Sequence, residues 1–405
     1  MSYRMDAAAR LRLTSFFALI GAFLFNKIQR ASFALYAMGI LGEAVRKSVE
    51  PIVAQTCANP EQMDALHQRT LHFLVDAPWS NREVRRAAAQ YALQELTAHS
   101  SVTAWIVDDT PFLKQGKDSV GVQRQYAGSV GKIANCQAAP SLTIATSRVH
   151  LPIDFELYLP RSWMDDPVRR KKARIPDSLP FLTKPELALV MLQRAKDDGV
   201  SPAPLLADSG FGDSLDFRLG VRNLGLPFAV GIHCTTTVTV VSPTQGRPAS
   251  KPIAAGALAL ALAQGRRQFR RVTWRDGTKK RLSARFAFRR VVVPDDPLKE
   301  QVWLVMEWPD GDSTPSKYYL VSLPVSTTKK FMVRLLKERY RTEQAYEELK
   351  GELGLDHYEG RRFPGWHHHI SVVLCCYAFV IAERERHFPP CAEPDATGPQ
   401  LPLAV

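Results

Sequence analysis

Two short apolar runs that each end in acid constrain this chain more than any other feature. Ala104-Trp105-Ile106-Val107 leads into Asp108-Asp109-Thr110, and Pro204-Leu205-Leu206-Ala207 leads into Asp208-Ser209-Gly210. A continuous apolar run of this length between turn-forming residues reads as a strand buried on both faces. Carboxylates at the ends of such strands have a fixed backbone beneath them. Ser141–Ser147, Ile153–Leu159 and Pro227–Ile232 read as further strands, and Pro185–Lys196 as a helix. Strands interleaved with helices, with polar groups at strand tips, predict a mixed α/β sheet.

The flanks have a different texture. Residues 1–98 read as helical, with Phe33, Leu35, Tyr36, Met38 and Leu41 in apolar rhythm. Ser80 stands three residues before Glu83, the spacing of a capping box, at the start of a run of good helix formers. Residues 233–325 break the rhythm with Thr-, Val- and Arg-rich alternation, which predicts an antiparallel β insertion. Helix resumes at Thr328 and is expected to run unbroken to about Leu353. Another apolar helix is expected over Ile370–Arg384, and the Pro-rich tail 389–405 is expected to be disordered.

Composition sets the partner class. The formal net charge is +13, which favours a polyanion such as nucleic acid. Hydrophobic residues make up 45% and charged residues 23%, which argues against bulk disorder. Cys57, Cys136, Cys234, Cys375, Cys376 and Cys391 include no CxxC pair, so a disulfide scaffold and a zinc ribbon are not expected, and a reducing cytoplasm fits. The apolar stretch Leu13–Asn26 is too short to span a bilayer, and no other spanning segment is expected.

The segment Lys337–Lys350 (KERYRTEQAYEELK) carries the next signal. On one continuous helix, Arg339, Glu343 and Lys350 would share a face, a carboxylate flanked by cations. Phosphodiester chemistry with a hard divalent cation needs converging carboxylates from separate elements, and basic groups beside them to hold the backbone. Taken singly, each acid also has a plain structural reading. Asp108-Asp109-Thr110-Pro111 and Asp208-Ser209-Gly210 have turn composition, and Glu343 could simply pair with Arg339. Their occurrence together, in this order, is what points to chemistry.

In these segments the chain resembles the insertion-sequence transposases of the DDE, RNase H-like superfamily, the cut-and-paste type with a Tyr-Arg-Glu-Lys signature. The resemblance rests on Arg46–Ile52, Val107–Thr110, Leu206–Gly212, Tyr340–Glu343 and Glu359–Arg362. It implies an RNase H-like mixed-sheet core with a β-rich insertion and an N-terminal helical domain. The expected layout is a helical DNA-binding domain over 1–98, core over 99–232, insertion over 233–325, and core with catalytic helix over 326–388. Asp108, Asp208 and Glu343 would be the catalytic, metal-binding triad, with Asp109 an open alternative to Asp108. Arg339 and Lys350 would be the signature's basic members. The signature's Tyr would fall at Leu336, a departure from the pattern. Lys114 and Lys117, just after the first acidic pair, join the candidate DNA contacts, as does the run Arg169–Arg174.

The implied cofactor is Mg²⁺ or Mn²⁺. The implied partners are double-stranded DNA, namely terminal inverted repeats and a target, bound by a dimer without membrane association, in the cytoplasm at the nucleoid. A nuclease of the same fold without strand transfer and a catalytically inactive DNA-binding relic are the alternatives. His367-His368-His369 does not read as a zinc site, because adjacent residues do not share a helical face. Cys375-Cys376 and Trp105, Trp163 and Trp366 read as core. Trp274, Trp303 and Trp308 in the insertion are the aromatics to inspect for a flipped base.

Overall fold

The computed structural model describes residues 6–57, 59–242, 244, 246–265, 267–276 and 281–387. The tail 389–405 and Cys391 lie outside the described residues. The chain forms two compact units. One contains residues to Ala203 together with Tyr340–Glu383, and the other contains Pro204–Arg339 with the residues from Arg384. This division falls at 203/204 and 339/340.

The first unit opens with helices α1 (Ala7–Gly21), α2 (Lys27–Leu41), α3 (Val49–Thr56), α4 (Met63–Val75) and α5 (Asn81–His99). Caps set their starts. Asp6 accepts from Ala9 N, Asn26 from Gln29 N, and Ser80 from Glu83 N. The apolar stretch Leu13–Asn26 is therefore the end of α1 and the turn that leads to the Asn26 cap of α2, with Leu13, Phe16, Ile20 and Leu24 buried. Gly39 of α2 lies so close to α3 that a Cβ there would come within 2.2 Å of Ile52.

Strands β1 (Val102–Leu113), β2 (Gln123–Ala127), β3 (Lys132–Thr146) and β4 (His150–Phe155) follow, then α6 (Arg161–Met164), α7 (Pro167–Ala173) and α8 (Lys184–Asp197). β3 pairs antiparallel with β1 along one edge and with β2 and β4 along the other. Asp108 does not end its strand. β1 continues through Asp108, Asp109, Thr110 and Pro111, paired in turn with Ser141, Pro140, Ala139 and Ala138 of β3. The basic run Arg169–Arg174 falls on the short helix α7 and its C-cap, with the helix started by an Asp166 cap and Pro167. A full capping box between Thr183 and Glu186 starts α8.

The second unit contains β5 (Leu205–Ala207), α9 (Ser209–Gly212), α10 (Leu215–Asn223), β6 (Phe228–Ile232), β7 (Thr237–Val240), β8 (Ile253–Ala254), α11 (Ala255–Ala263), β9 (Arg270–Asp276), β10 (Arg281–Val292), β11 (Gln301–Trp308), β12 (Lys317–Val321) and α12 (Lys329–Glu338). β5 and β6 are parallel, and the rest of the pairing is antiparallel in the order β6-β12-β11-β10-β7-β8, with β9 also on β10. The β-rich insertion is thus hydrogen-bonded onto β6 through β12, and it includes helix α11.

The chain then returns to the first unit with α13 (Tyr340–Gly351) and α14 (Phe363–His387). The helix expected to run unbroken from Thr328 to Leu353 is two helices, interrupted at Arg339, where the division between the units also falls. α14 is long and apolar enough to cross a membrane, which the sequence reading did not anticipate. Its most apolar stretch is 94% buried, as in a core helix. Phe379 on α14 packs against Phe16 of α1, with ring centroids 5.6 Å apart, and Glu383 forms a two-point ion pair with Arg12 at 2.6 and 2.8 Å. The overall class is mixed α/β, as expected.

Candidate active site

Alternation along β1 sorts its acids. Successive side chains of a strand point to opposite faces, so Asp108 and Thr110 share one face and Asp109 takes the other. On the Asp109 side, Lys184 at the start of α8 forms an ion pair with the Asp109 carboxylate. On the Asp108 side lies α13. Tyr346 Oη is 2.5 Å from Oγ of Ser141, the β3 residue paired with Asp108. Lys350 Nζ donates to Thr110 Oγ1 and to the Pro111 carbonyl, both at 2.8 Å. Near the other end of the helix, Arg341 Nη1 donates to the Ser147 carbonyl at 3.3 Å.

These contacts fix α13 along β1. Glu343 precedes Tyr346 by three residues and Lys350 by seven, which puts it on the same helical stripe. It is exposed on the first turn of α13. Asp108 is buried, and its Oδ1 accepts the Asp109 backbone N–H at 2.9 Å. Asp108 therefore lies on the strand face that α13 packs against, and Asp109 points to the other face.

Asp208 belongs to the second unit. It follows β5 directly, and its Oδ1 accepts the Gly210 N–H at 2.9 Å, capping α9. The glycines of Asp208-Ser209-Gly210-Phe211-Gly212 have a packing reason. A Cβ on Gly212 would sit 2.2 Å from the Gly231 carbonyl of β6, and one on Gly231 would sit 2.8 Å from Ser209 N. The backbone on either side of Asp208 is held against β6 by the absence of side chains.

The basic candidates divide. Arg339 occupies the break between α12 and α13, and Glu343 and Lys350 share a face of α13. Lys350 and Lys114 are spent inside the first unit. Lys114 Nζ donates to the Tyr358 carbonyl at 2.7 Å. Burial holds both ammonium groups below the usual lysine range. Lys117 is exposed. In the run Arg169–Arg174, Arg169 lies over the Trp163 ring at 3.9 Å and Arg174 pairs with Asp76.

The histidine triplet is structural. His368 stacks on Trp79 at 3.8 Å between ring centroids, with its nitrogens 2.7 and 3.1 Å from the Leu74 and Trp79 carbonyls. His369 lies between Tyr36 Oη at 2.9 Å and the Gly354 carbonyl at 3.0 Å. Burial lowers both rings to about 4, so they are neutral at physiological pH. Cys375 and Cys376 are buried in α14, and both are free thiols, as are Cys57, Cys136 and Cys234. Among the described residues no group of three or more His, Cys, Asp or Glu side chains is gathered as a ready-made metal cluster. The donors at the candidate positions are carboxylates, the oxygen ligands that suit a hard divalent cation.

Sequence reasoning missed the Ser141–Tyr346 contact and the ionic cluster beneath β4. Buried Arg85 meets Asp154 at 2.6 Å and Glu156 at 3.4 Å, and Arg194 of α8 reaches both carboxylates. Burial raises Asp154 above the usual carboxylate range in spite of the two guanidinium groups. Tyr346, three residues after Glu343, was the one readable hint of the first contact. Nothing in the sequence joins Arg85 to Asp154.

Known proteins bear on this arrangement. A relative from Microchaete diplosiphon, described as "Probable transposase for insertion sequence element IS701", is 22% identical over 348 residues, spanning 85% of this chain and 80% of that protein. Among solved structures, a piggyBac transposase synaptic complex with hairpin DNA, determined by cryo-EM, is similar with a TM-score of 0.42 and 12% identity. The match covers 89% of this chain and 66% of that one. The family model for the DDE superfamily endonuclease matches residues 16–281. That match takes in β1 with its acidic pair, β5 and Asp208, and well over half of the sequence, so the chain belongs to the DDE superfamily endonuclease family.

Proposed function

We propose that this protein is a DNA transposase that cleaves phosphodiesters at the ends of an insertion sequence and joins the freed ends to target DNA. The observation that carries the reading is the fixing of α13 along the Asp108 face of β1 by Tyr346 and Lys350, in a chain of the DDE endonuclease family. The likeness to an IS701 transposase supports transposition over hydrolysis alone.

In this reading Asp108, Asp208 and Glu343 supply the metal-binding carboxylates. The family implies a divalent cation, and Mg²⁺ or Mn²⁺ suits an all-carboxylate donor set. When bound, such a cation activates water and neutralises charge building on the phosphoryl group. The reaction has two displacements. Water attacks the phosphorus at each end, the P–O3′ bond breaks, and the leaving oxygen takes a proton to become a 3′-hydroxyl. That hydroxyl then attacks a target phosphodiester, forming the new P–O bond and releasing a target 3′-hydroxyl.

The chain's own residues orient these partners. Lys350 and Lys114 act as positioning residues, with Lys350 donating to Thr110 and Pro111 and Lys114 to the Tyr358 carbonyl. Arg339 and Lys117 are the phosphate contacts of the original set. The helices of residues 1–98 would bind the terminal repeats, and a dimer would hold two ends together, in the cytoplasm at the nucleoid. The experiment is cleavage of DNA carrying the gene's own flanks, with Mg²⁺ or Mn²⁺ against EDTA. Metal-dependent cuts at the flank boundaries, lost in Glu343→Gln and Asp208→Asn, support the proposal. Binding without cutting, unchanged in both variants, overturns it.

A further inference from the structure

Strand β2 is the last strand of the sheet. It pairs with β3 on one side, and no described strand pairs with its other side. Such an edge offers unpaired N–H and C=O groups to another chain, and folded proteins ordinarily blunt it with proline, a bulge or a cover. β2 (Gln123-Arg124-Gln125-Tyr126-Ala127) contains no proline and pairs with β3 without a register shift. Arg124 is exposed, and Tyr126 and its cross-strand partner Ile133 are 68% and 61% exposed.

The ladder fixes which groups the edge presents. Along an antiparallel strand the backbone groups of successive residues turn to opposite neighbours. Lys114 N–H donates to the Asn135 carbonyl at 2.9 Å, so Asn135 turns to the β1 side and Ala134 and Cys136 turn to β2. Their partners on β2 are Gln125 and Gln123, which leaves the backbone of Arg124 and Tyr126 turned outward. Arg124 has no ion-pair partner among the described residues.

An identical strand satisfies this edge. Two antiparallel copies related by a twofold axis through Gln125 set Arg124 of each opposite Tyr126 of the other. Both are outward residues, so each pair exchanges two backbone hydrogen bonds. Directly opposed side chains start about 5 Å apart at Cβ, close enough for the guanidinium to lie over the tyrosine ring. An axis through Arg124 would instead set cation against cation. The strand is complementary to itself in one register.

We infer that β2 is an edge-to-edge contact between two copies of this chain, with Arg124 against Tyr126. The inference rests on the proposed function, in which two copies meet on two DNA ends. Two five-residue strands bury far less than the roughly 1,200–2,000 Å² of a stable interface. The contact is therefore expected to close once DNA holds both copies close together, when pairing becomes intramolecular.

The test uses full-length protein and labelled flank duplexes on native gels that separate complexes of one and two DNA ends. Tyr126→Lys opposes like charges at two symmetric pairs and should lower two-end complexes by about 10-fold. It adds a cation, so single-end binding should not weaken. Adding Arg124→Glu should restore two-end complexes to within about 3-fold of wild type, although it removes a cation. A residue that only contacts DNA would behave in the opposite way. Thermal unfolding at the wild-type midpoint checks that the fold is intact. A disulfide reports the register. In Gln125→Cys with Cys136→Ala, the two new thiols meet across the axis at a Cα separation of about 4.5 Å, which a disulfide can bridge. Oxidation with flank DNA present should give a covalent dimer on denaturing gels, above the background of Cys136→Ala alone.

Undiminished two-end complexes in Tyr126→Lys would overturn the inference, as would a loss that Arg124→Glu does not restore or the lack of a covalent dimer. A disulfide within one chain would assign the edge to another segment of the same chain and overturn it too. The two proposals fail separately. A covalent dimer without metal-dependent cutting keeps the contact and removes the transposase reading, and cutting without the dimer does the reverse.

Discussion

The two units differ in how completely they satisfy their own buried cations. In the first unit Lys350, Lys114, Arg85 and Arg194 are consumed by oxygens of the same unit. In the second, Arg222 and Lys337 are likewise paired, with Asp296 and Glu307, but Arg290 keeps two buried donors, Nε and Nη1, without a partner among the described residues. A net charge of +13 is therefore not +13 of DNA-binding charge. The sign of a residue says little about its job until its partners are known. Near the candidate chemistry, positive charge shapes the protein.

The largest expected effect separates the two acids of β1. Asp108→Asn should reduce flank cleavage by at least about 1,000-fold, roughly 4 kcal/mol of barrier. Asp109→Asn, which disturbs only the pairing with Lys184, should stay within a few-fold of wild type. Equal losses in both variants would break the assignment of the two β1 faces.

Next comes stability. Arg85→Met leaves Asp154 buried without its nearest guanidinium and should cost about 3–5 kcal/mol in chemical denaturation. Arg290→Gln should cost less, about 1 kcal/mol, because it gives up only the bond to the Gln301 carbonyl and the place beside the Trp303 ring. Comparable losses from the two would erase the contrast between the units.

Acid should act on the first unit as well. His368 and His369 are held neutral with values near 4, against about 6.5 in an unfolded chain. Between pH 6.5 and 4 the unfolded chain binds protons that the folded chain refuses, so stability is full above about 6.5 and falls as pH drops toward 4. The loss should be on the order of 3 kcal/mol per ring by pH 4. Denaturation midpoints in His368→Gln should show a shallower acid limb, and an unchanged limb would count against these rings as its source. The smallest effect belongs to Arg46→Ala. Its pair with Glu359 is half-exposed on both sides and should be worth under about 0.5 kcal/mol.

The same contrast explains what could be read in advance. The apolar run Ala104–Val107 announced β1, and the run before Asp208 announced β5, because burial on both faces leaves a compositional mark. The continuation of β1 through Asp-Asp-Thr-Pro could not be read, since these residues are poor strand formers and turn formers by local preference. Pairing with β3 overrides that preference. The break at Arg339 was equally hidden, because no Gly or Pro marks it and the residues on both sides favour helix. The proposed triad, Asp108, Asp208 and Glu343, is itself a reading of the sequence. The choice of Asp108 over Asp109 needed to know which helix covers which face, and this depends on Lys350 reaching a residue 240 positions earlier.

The burial of α14 has a consequence for how the protein is made. His368 completes the packing around Trp79, yet 289 residues separate them in sequence. At about 5–20 residues per second, the helices ahead of β1 wait on the order of 15–60 s on the ribosome before their core partner is synthesised. During that interval Phe16, Tyr36 and Trp79 lack the helix that covers them in the finished molecule. Newborn chains should accordingly engage holding chaperones through this segment, and the supply of active enzyme should respond to the pace of translation as well as to the number of messages.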